Sequence, residues 1–192
     1  MKVLSIDVGS SLTKIYYVKD DESGPRALGG FYGVLSTVPI LHTELLYRPR
    51  TAKFQIGTKA CRDEVFHSFK YALLQSDRSP TISLQLQSWA DQLHDEYGIS
   101  EVQGIDFFMQ KFIELLWNDC VERLGEPETV ALSIPPTMNI WTAQRVSNIA
   151  RNAGIPSKKT ILIHETTAML YSRPIQTLLY ARSKVPFSSL FS

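Results

Sequence analysis

Residues 3–18 constrain the fold more than any other stretch. Val3, Leu4, Ile6 and Val8 form a short apolar run rich in β-branched residues, the composition of a strand buried on at least one face. Residues 14–18 form a second such run, and Gly9-Ser10-Ser11 between the two leaves room only for a tight turn. Glycine permits φ > 0, and a turn of that kind gathers successive backbone N–H groups into an anion-binding nest. Asp7 closes the first strand beside this nest. A carboxylate there repels a phosphate unless a divalent cation lies between them, and Mg²⁺ is held by one or two carboxylates, water and phosphates. An acid ending an apolar strand also costs burial energy unless it is paired or metal-bound. An ordinary hairpin with Asp and Gly at its turn accommodates the same residues.

The rest of the chain alternates helix and strand. Ile105, Phe108, Met109, Phe112, Leu115, Leu116, Cys120 and Leu124 recur at three- and four-residue steps, which predicts a helix between Gly104 and Gly125 with one wide apolar stripe. Residues 129–134 read as a buried strand stopped by Pro135-Pro136. Residues 141–153 read as a helix, apolar at Trp141, Val146, Ile149, Ala150 and Ala153 and ended by Gly154. Residues 159–163 form another strand, and Glu165 opens a further helix. Such alternation predicts parallel strands with right-handed crossovers. Between the opening and the long helix the pattern is weaker. A third strand is expected over 28–35 and a short acidic helix over 88–97, while residues 36–40 and 53–60 suit any strand-turn-helix passage.

Composition narrows the function classes. Hydrophobic content of 44%, charged content of 20% and a net charge of +1 suit a globular protein with no call for nucleic acid or an anionic membrane. No apolar stretch approaches the ~18 residues of a membrane span. Cys61 and Cys120 lack metal-ligand spacing and fit reduced cysteines of a cytoplasmic protein.

Asp7-Val8-Gly9-Ser10-Ser11 with Thr13-Lys14 resembles the first phosphate loop of the actin, sugar-kinase and heat-shock-chaperone ATPase superfamily. Four later sub-motifs are similar to the DnaK-type heat-shock-chaperone branch in the same order: Ser133-Ile134-Pro135, Ala143-Gln144-Arg145, Ala153-Gly154-Ile155 and His164-Glu165-Thr166-Thr167-Ala168. The resemblance covers about residues 3–172. It implies an α/β, ribonuclease-H-like (actin-like ATPase) mixed sheet flanked by helices, with an inserted small α+β lobe. Residues 1–36 and 101–172 would be the first ATPase lobe, 37–100 the inserted lobe, and 173–192 an unmatched tail.

The resemblance also implies roles. Asp7 would hold Mg²⁺ through water, while Gly9, Ser10, Ser11 and Thr13 would bind the phosphates of ATP. Lys70, set in an apolar and aromatic stretch, would reach the γ-phosphate, and Glu165 would position water or the metal's shell. Residue types alone also suit a snorkelling lysine at 70 and a dipole-favoured acid at 165. Pro135 and Arg145 would relay nucleotide state, and ATP or ADP, with a co-chaperone or client protein, would be the partners. His164 and Thr166 depart from the branch's usual Asn and Pro. Its second phosphate loop, Asp-x-Gly-Gly-Gly-Thr, does not follow Leu170, and residues 171–192 contain no glycine. The expected function is therefore the first lobe of a heat-shock-chaperone-like ATPase carrying half of an ATP·Mg²⁺ site. An actin-like filament ATPase, a small-molecule kinase of the same superfamily and an inactive truncated remnant are the alternatives.

Overall fold

A computed structural model describes residues 2–9, 11–19, 24–29, 40–48, 51, 53–56, 65–67, 94–99, 101–134 and 140–165. Within these the protein is α/β with a mixed sheet. Strand β1 (Lys2–Val8) pairs antiparallel with β2 (Leu12–Lys19), the register running from Lys2 opposite Lys19 to Val8 opposite Thr13. The short β3 (Arg26–Ala27) and β4 (Ile40–His42) pair antiparallel with the two ends of β2. On the other side of β1 lie β8 (Thr129–Ile134) and then β9 (Thr160–His164), both parallel to it. The order is therefore β3-β2-β1-β8-β9, with β4 also on β2. A second sheet is antiparallel, with β5 (Glu44–Arg48) between β6 (Lys53–Ile56) and β7 (Val65–His67).

Two helices make the crossovers. Helix α1 (Glu101–Leu124) precedes β8, and α2 (Ile140–Asn152) joins β8 to β9. The expected stripe of α1 is buried at Phe108, Met109, Phe112, Leu116 and Cys120, and Ile113 and Trp117 widen it. These side chains form one core with Leu4, Ile6 and Val8 of β1, Val130, Leu132 and Ile134 of β8, and Val146, Ile149 and Ala150 of α2. Leu45, Tyr47 and Ile56 of the small sheet belong to the same core. Tyr47 is fully buried there, its hydroxyl donating to Glu96 at 2.6 Å and its ring stacked on Phe54 at 4.7 Å between centroids. Desolvation, and then the Glu96 carboxylate, push the Tyr47 hydroxyl well above the usual phenol range.

Helix ends follow the glycines. Gly125 (φ +72°) and Gly154 (φ +96°) adopt the left-handed conformation that terminates a helix. Trp141 departs from expectation, since it is 80% exposed. At 100° per residue it lies roughly 140° around α2 from Val146, off the face that Val146, Ile149 and Ala150 bury. The third strand is Arg26–Ala27 where it is described, two residues ahead of the predicted start, and Leu28 still donates its N–H to Ile15 O at 2.8 Å. Strand β5 had no counterpart in the sequence reading. Its Leu45, Leu46 and Tyr47 are all buried, so the strand shows no alternation. Cys120 is buried with a free thiol that desolvation pushes up to about 12. Cys61 lies outside the described residues. Among the described residues, no helix is long and apolar enough to cross a membrane.

Candidate functional site

Strand alternation decides which side chains can meet. Leu4, Ile6 and Val8 enter the core, so Val3, Ser5 and Asp7 occupy the opposite face of β1. The register with β8 runs from Val3 opposite Thr129 to Ile6 opposite Leu132. One step further it brings Ser133 beside Asp7, and the Ser133 hydroxyl donates to Asp7 Oδ1. Both residues are half-buried. On the other side of β1, Lys14 is Asp7's cross-strand partner in β2 and is exposed. The neighbourhood therefore pairs opposite charges on one face.

This point is also where the chain's order through the sheet reverses. From β1 the chain moves outward through β2 to β3, then returns by α1 to the other side of β1 and moves outward again through β8 to β9. In open parallel sheets with helices on both faces, ligands bind outside the carboxyl ends of the strands at such a reversal; here β2 is antiparallel to β1, and both helices pack on the Leu4, Ile6 and Val8 face. Asp7 and Ser133 lie at the carboxyl ends of the two strands that flank the reversal. Glu165 follows the carboxyl end of β9, where Ile134 pairs with His164, and so occupies the same edge of the sheet. Two strand intervals put β1 and β9 about 10 Å apart.

The turn after Asp7 is tight for a reason other than the expected one. Gly9 does not take a left-handed φ; instead, a Cβ there would stand 2.4 Å from the carbonyl oxygen of Leu12. Its N–H donates to that same carbonyl at 3.1 Å. The close approach of two backbone segments, and not a positive φ, excludes a side chain. Ser11 contributes its carbonyl, which accepts from the Thr43 N–H at 2.9 Å.

Thr13 does not join Asp7. It pairs with Val8, on the core face of the sheet, where it is 1% exposed and its hydroxyl bonds that of Thr43 at 2.8 Å. Thr43 is the single residue between β4 of the large sheet and β5 of the small one. Arg145 stands elsewhere again: its Nε donates to both carboxylate oxygens of Asp106, at 2.7 and 2.9 Å, and so ties α2 to α1. Ser10, Lys70 and Pro135 lie outside the described residues.

Sequence reasoning passed over Thr43, and it met Ser133 only as part of the Ser133-Ile134-Pro135 sub-motif, with no role at the site. Ser133 did carry a signal, being the one hydroxyl between Leu132 and Ile134 in a strand otherwise apolar from Val130. No protein-family model matches the chain, and no curated protein matches it.

Proposed function

We propose that this chain is the first lobe of a heat-shock-chaperone-like ATPase and carries half of an ATP·Mg²⁺ site centred on Asp7. The observation that carries the reading is the meeting of Asp7 and Ser133 at the carboxyl ends of β1 and β8, where the strand order reverses. The opening antiparallel strands, followed by parallel strands on the other side of β1, support a ribonuclease-H-like sheet. Residues 37–100 are then the inserted lobe, with the small antiparallel sheet as part of it.

The residues fit a hydrated magnesium ion. Ser133 engages Oδ1 of Asp7, which leaves Oδ2 to accept from metal-bound water. Asp7 would hold the cation through its water, since Mg²⁺ needs only one or two carboxylates beside water and phosphate. When bound, the cation neutralises phosphate charge. Asp7 would hold the cation's water in place, and Gly9, having no side chain, would let the phosphates approach while its own N–H stays with the Leu12 carbonyl. Lys70 would supply a positive charge to the γ-phosphate, and Glu165, at the same edge of the sheet as Asp7, would orient water. Thr13 acts as a strut beneath the turn and not as a ligand. Arg145 would pass nucleotide state to a co-chaperone or client through its tie to α1.

Calorimetric titration of the folded chain with ATP·Mg²⁺, beside Asp7→Ala, tests the reading. Saturable binding that the variant loses is expected. A folded wild-type chain that takes up no heat, or a variant that binds as well as wild type, would overturn it.

A further inference from the structure

Ser133 interrupts a run, Val130 to Ile134, whose other side chains are explained by burial. Val130, Leu132 and Ile134 fill the core, and Ala131, on the opposite face, is only 8% exposed. An apolar residue at 133 would suit both the strand propensity and the half-buried position. The hydroxyl is instead aimed at one atom, Oδ1 of Asp7, on the strand next door. A carboxylate on a short side chain has two free torsions, and a single donor from a sheet neighbour fixes the plane in which its second oxygen points. A donor held on the neighbouring strand favours one orientation of the carboxyl group over the others.

From this geometry we infer that Ser133 is a positioning residue for Asp7: its hydroxyl donates to Oδ1 and orients Oδ2 toward a magnesium-bound water. The inference rests on the half-site reading and adds a residue that the phosphate-loop motif does not contain. Ser133 itself touches neither nucleotide nor metal. Outer-shell donors of this kind orient the ligands of metal sites generally, and their loss weakens the metal and not the ligand's other contacts.

That distinction supplies the test. Wild type, Ser133→Ala and Ser133→Thr are titrated with ATP in the presence of Mg²⁺ and again with ATP in EDTA, with thermal unfolding of each variant recorded alongside. Ser133→Ala should lose roughly tenfold in affinity for ATP·Mg²⁺, the order expected for one charge-assisted hydrogen bond. Its affinity in EDTA should match wild type. Ser133→Thr keeps the hydroxyl on a β-branched residue that the strand accepts, and should restore the Mg²⁺-dependent part. If wild type binds ATP·Mg²⁺ and Ser133→Ala binds it equally, the inference fails while the half-site reading stands. Equal losses with Mg²⁺ and in EDTA, an unfolded alanine variant, or no rescue by threonine would assign Ser133 a merely structural part and overturn the inference. No ATP·Mg²⁺ binding by folded wild type removes the half-site reading, and the inference falls with it.

Discussion

The Thr13–Thr43 pair offers the sharpest test of how the turn is held. The hydroxyls are 2.8 Å apart, and the residues are 1% and 0% exposed. Thr43→Val removes one partner and leaves the Thr13 hydroxyl in a dry core. The expected cost is about 1–3 kcal/mol, because an unsatisfied buried group bears its full desolvation penalty. Thr13→Val should cost a similar amount for the same reason. Replacing both removes donor and acceptor together, so the double variant should return to within about 1 kcal/mol of wild type. The cycle would then be strongly non-additive, by more than about 1 kcal/mol. Urea denaturation reads this directly: with an m-value of about 2 kcal/mol/M, a 2 kcal/mol loss moves the midpoint by roughly 1 M. The same variants report on the site, since the Thr43 N–H holds the Ser11 carbonyl of the turn after Asp7. Single variants whose effects simply add, with the double the least stable of the three, would refute the buried pair as the strut.

Further expectations follow from other contacts. Gly9→Ala forces a Cβ to within 2.4 Å of a backbone carbonyl and should cost about 1–3 kcal/mol. Gly24→Ala, which meets nothing within 4 Å, should leave the melting temperature unchanged, and equal effects at the two sites would sink the explanation. Arg145→Met breaks a partly exposed ion pair with Asp106 and should lower stability by less than about 1 kcal/mol in urea titrations, so a loss above about 2 kcal/mol would mean the pair is structural. Cys120 makes a pH prediction. Its thiol titrates near 9.0 when unfolded and is pushed up to about 12 by burial, so the folded state keeps a proton that the unfolded chain releases. Its stabilising contribution is complete below pH 9 and is lost as pH rises toward 12, at no more than about 1.4 kcal/mol per unit. Urea midpoints between pH 8 and 10 should fall, and less steeply in Cys120→Ala; parallel curves for the two proteins would exclude the thiol as the source.

How much was legible in the chain depended on how local each signal is. Helix α1 was readable because its apolar spacing is repeated over many residues, and strand β8 because its apolar run is bounded by Pro135-Pro136, while Gly125 and Gly154 mark the helix ends by their backbone conformation. Strand β5 was not, because Leu45, Leu46 and Tyr47 are buried together between neighbouring strands and leave neither the period of a strand nor that of a helix. Trp141 was misjudged because an apolar side chain at the first turn of a helix looks like part of the stripe until the helix's phase is known. The candidate site divides along the same line. Asp7 and Gly9 are adjacent in sequence and announce themselves, whereas Ser133 is 126 residues from Asp7 and Thr43 is 30 from Thr13. Thr43 carries no local mark, and the lone hydroxyl of Ser133 in its apolar strand does not by itself name its partner. What selects them is register. A shift of one residue between β1 and β8 would turn Ser133 into the core and bring Leu132 or Ile134 to Asp7. Burial of Leu4, Ile6, Leu132 and Ile134 forbids that shift, so the hydrophobic pattern that fixes the sheet is also what delivers a hydroxyl to the carboxylate.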